Sequence, residues 1–371
     1  MAKSKVYFTD MSVKFDRSLL KKLRELLVRS DLKDIDFKDK YVAVKLHFGE
    51  HGNMAALRPN YARVLCDYIK ELGGRPFLTD CNTLYVGSRK NGLDHLQTAD
   101  LNGFNPLSTG VYNIIADGVK GLDEALVPVE GGEYVKEAKI GRALMDADIV
   151  ISLTHFKGHE MAGFGGALKN IGMGGGSRAG KMEMHCAGKP QVQENLCIGC
   201  RFCQRICAHS APTLGENKKM HIDHDKCVGC GRCVAVCPKD AITATNYYGT
   251  EIMNCKIAEY AKAVLDGRPH YHIALAVDIT PNCDCHADNM LPIVPNVGFF
   301  ASADPVAIDV ACADMVNKQP IMPGSMLEAC KDHEEHDYFR KIGPETDWRS
   351  CVAHAEKIGL GTQEYELIVM K

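Results

Sequence analysis

The sequence has no run approaching the ~18 consecutive apolar residues that a membrane-spanning helix requires. Its first residues, Met1-Ala-Lys-Ser-Lys5, lack the apolar core of a secretory signal. Charge of one sign is not in excess either, because 44 Lys and Arg residues stand against 47 Asp and Glu residues, giving a formal net charge of −3. These absences give no reason to expect a nucleic-acid or membrane partner. We therefore expect a soluble, cytoplasmic protein.

Cysteine, in contrast, is abundant, with 17 residues in the chain. Without an export signal, their odd number and clustered spacing favour metal ligation over disulfides. Seven cysteines lie outside any motif and are expected to be structural: Cys66, Cys81, Cys186, Cys255, Cys312, Cys330 and Cys351. Of these seven, only Cys186, which follows His185, is a candidate for another role.

Eight cysteines form a repeated motif. The pattern C-x₂-C-x₂-C-x₃-C occurs over 197–207 and again over 227–237, where Pro238 follows. In two-cluster ferredoxins the fourth cysteine of each run ligates the cluster of the other run. The motif therefore predicts two 4Fe–4S clusters. Their ligands would be Cys197, Cys200, Cys203 and Cys237 for one cluster, and Cys227, Cys230, Cys233 and Cys207 for the other.

Two other interpretations of the motif are a pair of zinc sites and a set of disulfides. Structural zinc sites usually show paired C-x₂-C knuckles rather than a repeated four-cysteine run, so clusters are favoured. Ala208 stands where a proline often follows the fourth cysteine; it weakens a turn preference and removes no ligand.

On both sides of this motif, strand and helix signals alternate, as is typical of a mainly parallel sheet with helices on both faces. The predicted strands are 40–46, 75–79, 147–153, 272–277 and 365–370, and the predicted helices are 59–72, 138–146, 254–265 and 305–316. Between 190 and 245, large apolar runs give way to Cys, Gly and Lys. We predict a three-layer α/β body formed by 1–189 and 246–371, with a small α+β ferredoxin-like domain inserted at 190–245.

Polar residues gather where the predicted strands end, and this is where open parallel sheets bind ligands. They are His47, Asp80, the segment 154–159 and the segment 282–286. Any one of them alone is more often an ordinary loop residue, but four separate segments argue for a site. We predict that His47, His155, Lys157, His159, Lys169, Cys283 and Cys285 line it. The C-x-C pair would place both thiols on one face if extended, either as ligands of a metal or organic cofactor or as a thiol pair. The alternative is two reduced loop cysteines.

The segment 163–181 is rich in glycine, which exposes backbone N–H groups and suits close approach to an anion or ring. We predict a flexible loop over a cofactor or substrate, with a mobile linker into the inserted domain as the alternative. Its candidate binding residues are Gly165, Gly166, Asn170, Gly174, Arg178 and Lys181. A P-loop is disfavoured, because Met182 replaces the Ser or Thr that would hold magnesium.

Several of these motifs together resemble the family named domain of unknown function 362, in its branch with an inserted ferredoxin module. They are Leu46-His-Phe-Gly-Glu50, Leu57-Arg-Pro59, 77–85, 152–159, 165–174, Pro281-Asn-Cys-Asp-Cys285 and 304–309, so the resemblance spans roughly residues 4 to 318. It implies a cytoplasmic iron–sulfur protein of the kind found in anaerobes, and it supplies no substrate. An architectural similarity to nickel-dependent lactate racemases is a fold-level analogy only.

We therefore expect an oxidoreductase in which electrons pass through the clusters to a site in the body. His and Lys side chains would donate protons, and the thiols would act as ligands or as a redox pair. A flavin or an additional metal near Cys283 and Cys285 is compatible with the sequence. The expected partners are a ferredoxin, flavoprotein or reductase and a small-molecule substrate, and a homo-oligomer is also compatible. The alternatives are a non-catalytic carrier, a metal or cofactor maturation protein, and a redox sensor.

Overall fold

The computed structural model describes residues 3–84, 87–185, 189–244, 249–288, 290–330 and 336–370. Cys186 and the predicted boundary at 245–246 lie outside the described residues.

Within these residues the strands are β1 (Ser4–Asp10), β2 (Tyr41–Lys45), β3 (Arg75–Asp80), β4 (Asn113–Ile115), β5 (Glu124–Pro128), β6 (Glu137–Gly141), β7 (Ile149–His155), β8 (Lys157–His159), β9 (Gly163–Gly165), β10 (Pro190–Val192), β11 (Pro212–Leu214), β12 (Met220–Ile222), β13 (Ile242–Ala244), β14 (His270–Ala276), β15 (Gly298–Ser302) and β16 (Tyr365–Val369). The α-helices are α1 (Leu19–Arg29), α2 (Pro59–Glu71), α3 (Gly92–Leu101), α4 (Pro106–Thr109), α5 (Arg142–Met145), α6 (Ala167–Gly175), α7 (Arg178–His185), α8 (Phe202–Ile206), α9 (Arg232–Val236), α10 (Thr250–Leu265), α11 (Pro305–Asn317), α12 (Met326–Ala329), α13 (Tyr338–Ile342) and α14 (Trp348–Lys357), with a 3₁₀ turn at Asp31–Asp34.

The central sheet has eight strands in the order β16-β1-β15-β14-β7-β2-β3-β4. The five strands from β14 to β4 are mutually parallel, and β16 is parallel to β1. Only β15 runs antiparallel to its neighbours. The predicted mainly parallel α/β sheet is confirmed.

Side chains along the central strands alternate between two hydrophobic clusters, because successive residues of a strand point to opposite faces. Val42 and Val44 pack with α1 and α2, whereas Ala43 between them packs on the other side with α6, α10 and α11. Ile273 and Leu275 of β14 alternate with Ala274 in the same way. The sheet is therefore covered by helices on both faces.

Most predicted elements form within a few residues of the expected bounds, but the helix expected at 138–146 does not. Residues 137–141 form β6, which pairs antiparallel with β5, and only the short α5 follows. Ala138 and Ile140 are buried while Glu137 is exposed, so the segment alternates as a strand does. Pairing with β5 outweighed the weak helical signal.

The glycine-rich segment is also not a flexible loop. Most of 167–185 is helical, as α6 and α7, and nearly all of it is buried. A Cβ atom on Gly172 would lie 2.1 Å from the Ile257 carbonyl oxygen, and one on Gly180 would lie 2.5 Å from the Lys139 carbonyl oxygen. At these two positions glycine allows α6 to approach the backbone of α10, and α7 to approach that of β6, closely.

Residues 190–244 contain two short antiparallel pairings, β10 with β13 and β11 with β12, and the short helices α8 and α9. Their side chains form a third hydrophobic cluster, which also includes Leu84 and Met182 from the rest of the chain. The division of the chain into domains stays a prediction.

We predict that Gly172→Ala destabilises the protein by about 2 kcal/mol, because overpacking against a rigid backbone oxygen outweighs the better helix propensity of alanine. Chemical denaturation followed by circular dichroism measures the change. Gly249→Ser is the control, since none of the described residues lies within 4 Å of a Cβ atom at this N-cap position. A Gly172→Ala protein as stable as the parent would show that α6 and α10 are not held at this distance.

Candidate functional site

A pocket of about 370 Å³ lies at the carboxyl ends of the parallel strands β2, β3, β7 and β14. The sequence-predicted residues that line it are His47, His155, Lys157, His159, Lys169, Cys283, Cys285, Gly165, Gly166, Asn170, Gly174 and Lys181. Arg178 does not line it. The strand ends therefore bring together side chains that are more than two hundred residues apart in the chain.

The two thiols of the C-x-C segment are at the centre of this pocket. Their Sγ atoms lie 3.1 Å apart, although the segment forms a turn rather than an extended strand. His47 Nε2 lies 3.5 Å from Cys285 Sγ, and Lys169 Nζ lies 3.9 Å from Cys283 Sγ. The arrangement combines two sulfurs, an imidazole and an ammonium group.

The two thiols differ in acidity. A hydrogen bond from Cys285 lowers the pKa of Cys283 well below its usual value; burial opposes this shift, and Lys169, Lys157 and His159 add to it. The hydrogen bond to Cys283 and burial raise the pKa of Cys285. The pair therefore favours a thiolate on Cys283 that is hydrogen-bonded by the thiol of Cys285.

Asp284, between the two cysteines, points toward the end of β7. Its carboxylate lies 3.0 Å from His155 Nδ1 and 3.1 Å from Lys157 Nζ, and all three side chains are buried. Burial alone would raise the pKa of Asp284, but His155 and Lys157 outweigh it and the pKa is lowered. His155 Nε2 also contacts the Val277 carbonyl oxygen at 2.7 Å. This network fixes the C-x-C turn to the neighbouring strand.

A second buried network borders the pocket. Lys45 Nζ lies 2.9 Å from Asp80 and 3.0 Å from Asn170 Oδ1, and Arg89 lies 3.1 Å from Glu50. The sequence analysis singled out Asp80 but missed Lys45, Arg89, Glu50 and the contacts of Asp284. Glu50 and Asp284 lie inside the motifs quoted above, which is a signal that could have found them. Arg89 has no local signal, because only the fold brings it to Glu50.

Two of the candidate cofactor-binding residues of the glycine-rich segment, Asn170 and Gly174, pack against Lys45. Asn170 Nδ2 donates to Thr154 Oγ1 at 2.9 Å and to the Lys45 carbonyl oxygen at 3.1 Å. A Cβ atom on Gly174 would lie 2.4 Å from Lys45 Nζ, so this glycine makes room for the lysine.

The start of α6 is not an open cradle for an anion, because a carboxylate of the protein already occupies it. Asp309 accepts the N–H groups of Ala167 and Leu168 at 2.6 and 3.0 Å, and a Cβ atom on Gly166 would lie 2.3 Å from the same carboxylate. Burial raises the pKa of Asp309 to about 7, although these N–H groups favour its charged form.

Arg178 is buried away from the pocket. Its guanidinium donates to the carbonyl oxygens of Lys120, Thr83 and Lys90. A Cβ atom on Gly231 would lie 2.8 Å from the Arg178 side chain, so Arg178 packs directly against the cysteine-rich segment.

The eight cysteines of the repeated motif line two small cavities, four to each. The residues of the first set are Cys197, Cys200, Cys203 and Cys237, and those of the second are Cys207, Cys227, Cys230 and Cys233. Each set takes three cysteines from one run and the fourth from the other. Burial, together with nearby Cys200 and Cys237, raises the pKa of Cys203 to about 11. None of the eight forms a disulfide.

The first of these cavities adjoins the pocket. Ile242 lines both, and Val234 and Asp240 of the same segment also line the pocket. Lys90 joins the two parts of the chain, since its Nζ contacts the Cys237 carbonyl oxygen at 3.0 Å and forms an ion pair with Asp240.

We predict that Asp284→Asn destabilises the protein by about 3 kcal/mol at neutral pH, because it leaves His155 and Lys157 buried without a countercharge. Since the pKa of Asp284 is lowered on folding, its contribution is present above the unfolded pKa of about 4 and is lost as the pH falls below it. Denaturation midpoints measured from neutral to acidic pH should converge for the variant and the parent. The exposed Asp288→Asn is the control, and a constant difference at all pH values would contradict the prediction.

No helix in the described residues is long and apolar enough to cross a membrane.

Comparisons with known proteins give one family. The sequence model of the Domain of unknown function (DUF362) matches residues 42–314. A curated relative, the thylakoid-associated protein sll1697 of Synechocystis sp., is 27% identical over 126 residues. The match covers 32% of this chain and 33% of the relative, so it spans about a third of that protein.

Two solved structures are similar at low identity. A crystal structure of a Thermotoga maritima protein has a TM-score of 0.37 and 13% identity, covering 71% of this chain and 52% of the other. The lactate racemase apoprotein from Thermoanaerobacterium thermosaccharolyticum has a TM-score of 0.44 and 11% identity, covering 99% and 82%. Both are too distant to bear on function. The family match covers well over half of the chain and confirms the predicted resemblance to this family; its branch with an inserted ferredoxin module stays a prediction. A metal or iron–sulfur protein is compatible with the cysteine-rich composition and with the cluster of His47, Cys283 and Cys285. The protein belongs to the DUF362 family.

Proposed function

We propose that this DUF362 protein is an iron–sulfur oxidoreductase in which two 4Fe–4S clusters serve a reaction site in the strand-end pocket. The observation that supports it best is the crossed grouping of the eight cysteines into two cavities. This is the sharing of ligands that two-cluster ferredoxins use. Residues 190–245 would then be an inserted ferredoxin-like domain.

The donor set fits iron–sulfur clusters better than zinc. Each cavity offers four thiols, and three of the four come from one C-x₂-C-x₂-C run. Zinc knuckles instead pair one C-x₂-C with a second one. When bound, the clusters would supply one-electron transfer.

A cluster held by Cys197, Cys200, Cys203 and Cys237 would lie beside the pocket and would be able to supply electrons to it, because Ile242 borders both cavities. The pocket contains the Cys283 and Cys285 pair together with lysine and histidine side chains that can bind a charged group of a small substrate. In this proposal an external ferredoxin, flavoprotein or reductase of the cytoplasm supplies the electrons. A flavin or an additional metal near Cys283 stays a prediction that optical and elemental analysis would test.

We predict that protein purified without oxygen contains about eight irons and eight inorganic sulfides per chain. The double variant Cys200→Ser with Cys237→Ser should retain about four irons, since both cysteines belong to one proposed cluster. The double variant Cys200→Ser with Cys207→Ser should lose most of its iron, because it removes a ligand from each. Iron analysis and electron paramagnetic resonance after reduction measure the difference.

Cys330→Ser is the control for these variants, because Cys330 lies outside both cavities. Stoichiometric zinc in the parent protein, or disulfides among the eight cysteines, would refute the proposal. Full clusters with no reactivity at the Cys283 pocket would favour the non-catalytic carrier instead.

A further inference from the structure

Backbone N–H groups fix the orientation of His47 and His159, two of the histidines that line the pocket. Gly49 N–H donates to His47 Nδ1 at 2.9 Å, so Nδ1 is an acceptor and carries no proton. A neutral imidazole has one donor and one acceptor nitrogen, so the proton is on Nε2. Burial and the nearby Arg89 lower the pKa of His47 well below its usual value, which keeps the ring neutral. Its Nε2–H group therefore donates to Cys285 Sγ, 3.5 Å away.

His159 repeats this arrangement at the other thiol. Its Nδ1 accepts the N–H groups of Met161 and Ala162 at 3.1 and 3.0 Å. Its proton is therefore on Nε2, which lies 3.7 Å from Glu160 Oε1, and the interaction of His159 with Cys283 lowers the pKa of that thiol. Each of the two sulfurs thus has a neutral imidazole beside it.

This geometry is unfavourable for a metal, although His47, Cys283 and Cys285 place ligand atoms within 4.8 Å of one another. A histidine that binds a metal through one nitrogen normally donates a proton from the other, whereas the second nitrogen of His47 accepts one. The two Sγ atoms are 3.1 Å apart. Two thiolates on tetrahedral zinc, with Zn–S bonds of about 2.3 Å, would lie about 3.8 Å apart. The distance and the tautomer both fit a thiol–thiolate pair.

The pocket carries more cationic than anionic side chains, since five lysines and Arg89 line it against the three carboxylates of Asp80, Glu160 and Asp240. Within the part of the chain that the structure describes, no carboxylate lies at ion-pair distance from Lys169 or Lys181, both of which line the pocket. Burial, with Lys169, His159 and Lys181 nearby, lowers the pKa of the neighbouring His185 to about 3. A small anion is therefore favoured beside the thiolate.

We propose that Cys283 and Cys285 are a redox-active thiolate–thiol pair, positioned by His47 and His159, that reduces a small disulfide carrying carboxylate groups. Only the source of the electrons that regenerate the dithiol rests on the proposed function. His47 and His159 are positioning residues here, since a neutral imidazole N–H stabilises a thiolate without giving up its proton.

The exchange balances in two steps. The Cys283 thiolate attacks one sulfur of the substrate, and the first substrate thiolate leaves and takes the proton of Cys285. Cys285 then attacks Cys283 Sγ, which forms the protein disulfide and releases the second thiolate. Two electrons later break the protein disulfide, and one proton from water restores the Cys285 thiol beside the Cys283 thiolate.

The first test uses the anaerobic full-length protein, oxidised with diamide and then alkylated. Mass spectrometry should find Cys283 and Cys285 joined in one disulfide, which dithiothreitol reverses. Alkylation of both cysteines after diamide treatment, or a stoichiometric metal lost together with Cys283→Ser, would overturn the proposal.

The second test measures the pH dependence of iodoacetamide alkylation at Cys283. In His159→Ala the profile should shift upward by about one pH unit, because a hydrogen bond to the thiolate is lost. His159→Gln, which keeps an N–H donor at the same reach, should restore part of the shift. Cys330 is the internal control, and identical profiles in all three proteins would contradict the role of His159.

The third test uses two disulfides that differ in charge, dithiodiglycolate and the neutral hydroxyethyl disulfide. Lys181→Gln should slow the reaction with dithiodiglycolate about tenfold and leave the neutral reagent nearly unaffected. Retained iron and circular dichroism would show that the variant folds, and equal slowing with both reagents would refute the anionic substrate class.

The outcomes separate this inference from the proposed function. A dithiol that cycles with diamide and dithiothreitol in a protein without iron would sustain the inference and refute the clusters. Full clusters with inert thiols would do the reverse.

Discussion

The buried charge of Asp284 controls how the pocket is assembled. Strand β7 ends at His155 and β8 begins at Lys157, and both side chains are buried. The buried ammonium group of Lys157, beside the imidazole of His155, requires a countercharge there. Asp284 supplies it from the loop after β14, and the cost of leaving the ion pairs unmade holds the C-x-C turn against β7. The same turn carries Cys283 and Cys285, so the position of the thiols follows from this electrostatic requirement.

The helix layer behind the pocket is set by a different constraint, the close approach of backbones. Gly172 brings α6 against α10, Gly174 leaves space for Lys45, and Gly166 admits the carboxylate of Asp309. These contacts place Lys169 and Asn170 at the strand ends. The glycines therefore allow dense packing of the helices. A buried helix made of small residues has the same composition as a flexible loop, so composition alone does not distinguish the two.

The sequence predicted the parallel sheet and most of its strands because continuous β-branched runs are typical of strands covered on both faces. It also predicted which residues follow those strands, and the topology then brought them together. It did not predict α6 and α7, because glycine content alone does not separate a packed helix from a loop. The helix predicted at 138–146 was wrong for a related reason. The strand that forms there pairs with β5, and the sequence of the segment alone does not reveal that contact. Arg89 and Glu50 meet only through the fold.

The chemical character of the site depends on groups that carry no charge. Gly49, Met161 and Ala162 contribute only backbone N–H groups, yet these decide which nitrogen of His47 and of His159 faces the sulfurs. An imidazole held with its N–H toward a thiol stabilises a thiolate, whereas the same ring in the other tautomer would offer a lone pair to a metal. The loops that present these N–H groups follow β2 and β8 directly. The strand ends therefore set the protonation of the site as well as its position, and this favours thiol chemistry over metal binding at Cys283 and Cys285.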